Sequence, residues 1–265
     1  MTSLLRSWWA RVRIEALLIS RDRRTITFTV ILPFVLLLTL SSLIHNKTLP
    51  DGVSFAQYLT AGMVASGLVY GGFQGLSTAL PDERSDGTLK RLYGSPMPPS
   101  AYFAGKVGGV VVIYVAQMVV LLSLGGLAFH VKLPTGEGQI VTFLWLSALA
   151  LVTFTSLGIA FSSLAKTGQA AAAIATPFVL FLQFSSGVFF VYGQEPAWMR
   201  FIASIFPLRW LCQGMRSVFL PASYGAQEVG GGYHLPQVAL VLAAWSIGGL
   251  LLCRRTFRWL PLGED

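Results

Sequence analysis

The residue types that could carry out catalysis are few in this chain and lie far apart. Its three histidines, His45, His130 and His234, each stand near the end of an apolar run, where a histidine more often caps a helix or faces water than binds a metal. Ser185 and Ser186 offer a serine nucleophile, but no histidine lies at a comparable depth to activate it. We therefore expect neither a catalytic centre nor a metal site.

A nucleotide-binding loop is also missing from the sequence. Phosphate-binding loops read G-x-x-x-x-G-K-[ST]. Gly105 and Lys106 are followed by Val107, and Ser100 stands where the first glycine of the motif should be. If the chain takes part in ATP-driven transport, we expect ATP and Mg to be bound by a partner ATPase and no cofactor to be bound by the chain itself.

The segment best suited to contact a soluble partner is 82–99, which reads DERSDGTLKRLYGSPMPP. Six of its eighteen residues are charged, and long uncharged runs lie on both sides. Asp86 can cap the start of a helix, and Gly87 permits a sharp entry of the chain into that helix. The apolar patch offered to the partner would consist of Leu89, Leu92 and Tyr93.

The elements that must hold this segment are membrane-spanning helices. Hydrophobic residues make up 54% of the 265 residues, charged residues 11%, and the mean hydropathy is +0.66. A bilayer core about 30 Å thick requires about 20 apolar residues per helix, and six uncharged runs reach about this length. They are residues 25–44, 52–81, 107–129, 138–165, 167–194 and 235–253. We predict an all-α membrane protein with six transmembrane helices.

The distribution of Lys and Arg predicts how these helices are oriented. With six spans both termini lie on one side, and that side carries 14 of the 19 Lys and Arg residues. Both termini and segment 82–99 are therefore expected in the cytosol. The excess of Arg (14) over Lys (5) is typical of a GC-rich bacterial genome, so we expect a multi-pass protein of a bacterial inner membrane. The net charge of +8 follows from this bias and from contact with the lipid bilayer, so nucleic acid is not an expected partner.

Residues 1–24 are expected to form an amphipathic helix at the inner membrane surface, ahead of a transmembrane domain of residues 25–265. Trp and Arg together suit the boundary between headgroups and acyl chains. The predicted apolar arc of this helix consists of Leu4, Leu5, Trp8, Trp9 and Val12, opposite Arg6 and Arg13.

Small residues in the second span predict close helix packing. Gly67, Gly71 and Gly75 form two overlapping GxxxG units, which would place all three on one face of an α-helix.

The segment 191–220 is too apolar for a solvated loop, yet Glu195, Arg200 and Pro207 are among the residues that interrupt it. Charges and prolines disfavour an uninterrupted span. We predict short re-entrant helices between spans 5 and 6, half-buried in the outer leaflet with Trp198 and Trp210 at the interface. The alternative is an ordinary folded loop.

Two blocks of sequence resemble the permease subunits of ABC-2 type transporters. Residues 83–92, followed by Ser95 and Pro96, are similar to the family's E-x-x-x-G-T-L-x-x-L…(S)P segment. Residues 186–216 are similar to the S-G-x-x-F … P-x-W … P-L-x-x … R stretch between spans 5 and 6. The chain thus resembles the membrane subunits of ABC exporters, including the daunorubicin-type multidrug permeases.

The resemblance implies a coupling helix in the loop between spans 2 and 3, which seats in a groove of an ABC ATPase subunit. The residues assigned to coupling are Glu83, Asp86, Gly87, Thr88, Leu89 and Leu92. The resemblance also makes the N-terminal helix a connecting helix and segment 191–220 an outer element that helps to close the exit side. The positions matched there are Gly187, Pro196, Trp198, Pro207 and Arg216.

The function that the resemblance implies is export of a hydrophobic or amphipathic substrate (a drug, antibiotic or lipid) by alternating access. Two permease subunits, identical or homologous, would form a dimer with the substrate at their interface, between spans 2 and 5. The residues expected along that path are Phe73, Gln74, Phe181 and Phe184. Two other classes stay open: export of lipid-linked polysaccharide, and a membrane scaffold or channel without an ATPase.

Overall fold

The computed structural model describes residues 3–44, 48–257 and 259, and this part of the chain is almost entirely helical. The α-helices are α1 (Ser3–Arg21), α2 (Arg23–Ile26), α3 (Leu32–Leu43), α4 (Phe55–Leu68), α5 (Leu76–Ser85), α6 (Thr88–Tyr93), α7 (Pro99–Phe129), α8 (Glu137–Phe161), α9 (Gly168–Ser185), α10 (Ala197–Ile205), α11 (Pro207–Phe219) and α12 (Leu235–Thr256). An antiparallel ladder pairs β1 (Thr48–Leu49) with β2 (Val53–Ser54). Short 3₁₀ turns occupy Pro50–Gly52, Ser162–Leu164, Tyr192–Gln194 and Ala222–Gln227.

Four helices in the described part of the chain are long and apolar enough to cross a membrane: Pro99–Phe129, Glu137–Leu164, Gly168–Ser185 and Leu235–Thr256. The first two runs that the sequence offers as spans have a different local structure. A π-helical segment, Thr27–Ile31, joins α2 to α3, and a second one, Val69–Gly75, joins α4 to α5. The structure thus supports an all-α membrane protein with four candidate spans.

The fifth predicted run is shorter than its composition suggests. Helix α9 ends at Ser185 rather than continuing to residue 194. Gly187 follows with φ of +73°, a left-handed conformation that turns the chain away from the helix axis. Hydropathy could not locate this end, because the residues after the turn are as apolar as the helix itself.

The ends of the long helices gather at two faces. At one face α5 and α8 end while α7 and α9 begin, and α6 lies there, so we call it the α6 face. At the opposite face, the α10 face, α7 and α9 end and α4 begins. Gln57 ties this second face together, because its amide donates to the carbonyl oxygens of Lys132 and Phe219, each at 2.8 Å.

Helix α1 packs along the first half of α7. The contact is close because α7 presents Gly105, Gly108 and Gly109, and a Cβ at Gly108 would meet the side chain of Val12. The predicted apolar arc of α1 therefore has two different environments. Val12 faces α7, whereas Leu4, Leu5 and Trp9 are exposed on the protein surface.

Candidate functional site

Three consecutive residues at the end of α5 anchor it to three other helices. The first is Asp82, whose Oδ1 accepts a hydrogen bond of 2.6 Å from the backbone N–H of Gly168. Gly168 begins α9, and a carboxylate is favoured there because the first N–H groups of a helix lack partners within it. A Cβ at Gly168 would collide with this carboxylate, so the contact depends on glycine.

The second anchor is Glu83, which contacts α7 and, through α7, reaches α1. The Tyr102 hydroxyl donates to Glu83 Oε2 at 2.7 Å, and the Lys106 ammonium pairs with Oε1. Lys106 Nζ also lies 3.0 Å from Oε1 of Glu15, whose same oxygen is 2.7 Å from Nη2 of Arg11. Glu15 and Lys106 are 5% and 4% exposed, so opposite charges alternate through a nearly water-free contact between three helices.

The third anchor is Arg84. It is buried, and its Nη1 donates to the carbonyl oxygen of Ser162 at 3.2 Å. Ser162 follows the last residue of α8, where a cation is favoured by the partial negative charge of the helix end. Charge counting treats Arg84 as one of the residues that orient the membrane helices, but the structure places it inside the bundle.

Helix α6 starts as the sequence predicts. Gly87 has φ of +76°, and no atom lies within 4 Å of a Cβ built there, so the constraint on this position is backbone conformation. The backbone N–H of Thr88 donates to Asp86 Oδ1 at 2.8 Å. Hydrogen bonding from Thr88 lowers the pKa of the Asp86 carboxyl below its usual value.

The surface that α6 offers differs from the predicted apolar patch. Leu89 is 0% exposed and holds α6 against the bundle, so its side chain does not face a partner. Leu92 is partly buried, and Tyr93 is exposed but packs against Trp259 with ring centroids 5.7 Å apart. Arg91 is exposed, which makes the accessible side of α6 basic and aromatic rather than leucine-rich.

The glycines of the second span pack as predicted at two of three positions. A Cβ at Gly67 would collide with the side chain of Gln117, and one at Gly71 would lie 3.1 Å from Cγ2 of Ile113, both on α7. A Cβ at Gly75 meets only its own helix, because the π-helical segment changes the rotation per residue that the GxxxG pattern assumes.

The second side of this span packs through a glycine pair that the pattern did not reveal. A Cβ at Gly158 on α8 would collide with the backbone carbonyl oxygen of Gly72, and a Cβ at Gly72 would lie 3.1 Å from Cβ of Phe154 on α8. Both glycines lie within apolar stretches of sequence. No local signal therefore distinguishes these two positions from lipid-facing ones.

At the α10 face the structure buries an ion pair. Arg216 is 0% exposed, its Nε pairs with Glu228 Oε1, and its Nη2 donates to Oε2 at 3.0 Å. Its Nη1 donates to the carbonyl oxygen of Gly187 at 3.3 Å, and its guanidinium lies 5.2 Å from the centroid of the Tyr58 ring. Arg216 and Gly187 were singled out in the sequence, whereas Glu228 and Tyr58 were not.

The remaining residues of the second sequence block, 186–216, shape two short helices. Pro196 precedes α10, Trp198 is exposed on it, and Pro207 opens α11. Phe206 between the helices is extended (φ −93°, ψ 151°), as a residue before proline prefers. Helix α11 packs against α4, α8 and α12 and is largely buried, so this segment is not an ordinary loop.

The four residues expected along a substrate path have different surroundings. Phe73 is buried and contacts Phe161 and Phe178, with ring centroids 5.3 and 6.0 Å apart, respectively. Gln74 Nε2 donates to Thr176 Oγ1 at 2.9 Å and so links the second span to α9. Phe181 is half-buried against the core, and Phe184 is exposed.

The histidines and serines do not assemble a reactive centre in the described residues. No group of three or more His, Cys, Asp or Glu side chains there could hold a metal. His130 ends α7 and His234 precedes α12, both in left-handed backbone conformations, while His45 lies outside the described residues. Ser185 and Ser186 are fully buried.

Taken together, these contacts define an α-helical, multi-pass membrane protein in which buried polar residues tie short helices to long apolar ones. The chain belongs to the ABC-2 type transporter family, whose sequence profile matches residues 6–220. The match begins in α1 and ends just after α11, and it includes both blocks on which the resemblance rests. No curated protein matches the chain.

Family membership makes the chain a membrane permease component of a transporter rather than a catalyst. It confirms the resemblance to ABC-2 permeases.

Proposed function

We propose that the chain is the membrane-spanning subunit of an ATP-driven exporter in a bacterial inner membrane. The two helices interrupted by π-helical segments serve as spans 1 and 2, which gives six spans with both termini in the cytosol. Two copies of the chain, or the chain and a homologue, pair with ABC ATPase subunits that bind ATP and Mg. Segment 82–99 carries the coupling helix, which is α6.

The anchoring of α6 carries this proposal. Helix α6 begins at Thr88, within six residues of Asp82, Glu83 and Arg84, which contact the beginning of α9, α7 and the end of α8, respectively. A movement that an ATPase imposes on α6 therefore reaches three long helices at once. Because these helices are rigid and linked at one end, we expect them to move together and so to open the substrate path to one side of the membrane at a time.

The surfaces of spans 2 and 5 support the proposed cargo class. Gln74 and Thr176 join these spans, and α9 exposes Ile174, Leu180 and Phe184 towards a second subunit or lipid. A path bounded by such side chains favours a hydrophobic or amphipathic substrate, such as a drug, antibiotic or lipid.

The test is reconstitution with an ABC ATPase from the same genome. We expect the ATPase to co-purify with the chain and its hydrolysis rate to change on binding. Arg91→Glu on the exposed side of α6 should uncouple hydrolysis from transport. Lys166→Glu makes the same charge change at an exposed position between α8 and α9 and should leave coupling intact. Equal behaviour of the two variants, or no association with any such ATPase, would contradict the proposal.

A further inference from the structure

A buried carboxylate beside α10 has no ion-pair partner in the described part of the chain. Glu195 is 8% exposed, and neither of its side-chain oxygens has a hydrogen-bond partner among the described residues. Burying an unpaired carboxylate costs free energy. A carboxylate of this kind is typical of a position where function requires a charge, for example to bind a ligand.

Glu195 lines a groove rather than a sealed cavity. The groove has a volume of about 420 Å³, within the range of about 300–1,000 Å³ that is usual for small-molecule sites. Its other lining residues are Phe184, Phe190, Val191, Gln194, Pro196 and Met199. The groove is thus largely apolar and aromatic, with one acidic group.

The neighbouring cations leave this carboxylate without an ion pair. Arg216 on α11 is already paired with Glu228, and Arg209 stacks on the rings of Tyr192 and Trp210, 4.8 and 4.2 Å from their centroids. Arg200 on α10 and Arg216 act on Glu195 electrostatically, yet neither forms an ion pair with it in the described structure. Burial outweighs the backbone N–H of Gly187 and both arginines, all of which favour the charged form, and raises the pKa of Glu195 from 4.5 to about 7.

We infer that this groove binds an amphiphilic organic cation, with the positive charge against Glu195 and the apolar part against Phe184 and Phe190. A bound cation would supply the missing partner of the carboxylate, and aromatic faces add a further attraction for it. The inference rests on the proposed function only in making this ligand class a substrate; binding itself requires no ATPase.

The experiment measures equilibrium binding to the full purified chain in detergent or nanodiscs. The probes are tetraphenylphosphonium and tetraphenylborate, which are matched in size and apolar character but opposite in charge. We expect the wild type to bind the phosphonium at least about tenfold more tightly than the borate, and Glu195→Gln to lose this preference. Phosphonium affinity should fall as the pH drops below about 7, where Glu195 becomes neutral.

Two controls separate loss of the site from loss of the fold. Glu137→Gln removes a carboxylate from the first turn of α8, outside the groove, and should bind like the wild type. Met199→Trp keeps Glu195 but fills part of the groove, so it should weaken phosphonium binding while the chain stays folded. Equal binding by the wild type and Glu195→Gln, or equal binding of both probes, would overturn the inference.

The two proposals fail in different ways. If the chain couples to an ATPase but shows no charge-selective binding, only the cation site is wrong. If the phosphonium binds as expected but no ATPase associates, the site stands and the proposed exporter does not.

Discussion

The Tyr102 hydroxyl donates a hydrogen bond of 2.7 Å to the carboxylate of Glu83. Glu83 leads the sequence block that resembles a coupling segment, yet its side chain faces α7 rather than the outside of the bundle. Its second oxygen pairs with Lys106, which contacts Glu15 on α1. Glu83 thus joins the base of α6 to α1 and α7, and its part in coupling would be to transmit movement rather than to contact an ATPase.

Replacing Glu83 should therefore destabilise the chain by itself. Glu83→Gln leaves buried Lys106 with a single carboxylate, and we expect the free energy of unfolding to fall by about 2–3 kcal/mol. Tyr102→Phe removes one hydrogen bond and should cost about 1 kcal/mol. Thermal unfolding of the purified chain measures both; no loss in Glu83→Gln would mean that the ion pair does not form in the membrane.

The Arg216–Glu228 pair should be sensitive to removal of one partner. Arg216→Met leaves Glu228 buried and unpaired, at an expected cost of about 3–5 kcal/mol. The double variant Arg216→Met/Glu228→Met removes both charges and should recover most of the loss. A double-mutant cycle on thermal stability tests this, and additive losses would show that the two residues are not coupled.

The glycine contact between the second span and α8 should tolerate no side chain. Gly158→Ala places a Cβ against the backbone of Gly72 and Phe73, and we expect destabilisation of about 1–3 kcal/mol. Gly248→Ala in α12 is the matched control, since no atom lies within 4 Å of its Cβ. It should stabilise the helix by about 0.5–1 kcal/mol, so equal melting temperatures for the two variants would refute the packing.

The conformation of Gly87 should matter more than its size. Gly87→Asn can adopt positive φ and should keep both the fold and any coupling activity. Gly87→Val has the same open space around it, but a β-branched residue is strained there by about 1–2 kcal/mol or more. Measuring the association of both variants with the ATPase tests whether backbone conformation is the constraint. Loss of association in both Gly87→Asn and Gly87→Val would point to a steric role for Gly87 instead.

Glu195 predicts a pH dependence of stability with a definite sign. Its pKa is raised by burial from 4.5 to about 7, so the folded chain holds a proton that the unfolded chain releases earlier. Stability therefore falls as the pH rises from about 4.5 to about 7 and is then constant. Glu195→Gln should remove this slope and be the more stable protein above pH 7, which would also show that its loss of phosphonium binding is not misfolding.

The start of α6 could be predicted from local sequence because local chemistry dictates it. Asp86 and Gly87 begin α6 as expected, since a helix cap and a left-handed turn depend on adjacent residues only. The π-helical segments were not predicted, because a run of apolar residues does not distinguish a π-helical turn from an α-helical one. Gly75 shows the consequence, as it leaves the helical face that its spacing assigns to it.

The buried charges were the least predictable part. Glu15 is the single acidic residue of α1, and Lys106 is a lone charge at the start of an apolar run; both facts are visible signals. Their pairing is not, because 91 positions separate them along the chain. Arg84 and Leu89 were likewise assigned by residue type to water and to a partner, and both are buried.

By itself the sequence determined that this is a helical membrane protein, where most of its apolar helices lie, and which two blocks tie it to ABC-2 permeases. Composition and adjacent residues control those properties. Only the tertiary structure decided which way each polar side chain faces, so that Glu83 turns inward and Glu195 lines a groove without an ion-pair partner. The direction of a side chain depends on the rotation of its helix about the helix axis and on neighbours that are distant in the chain. Residue type alone encodes neither of these.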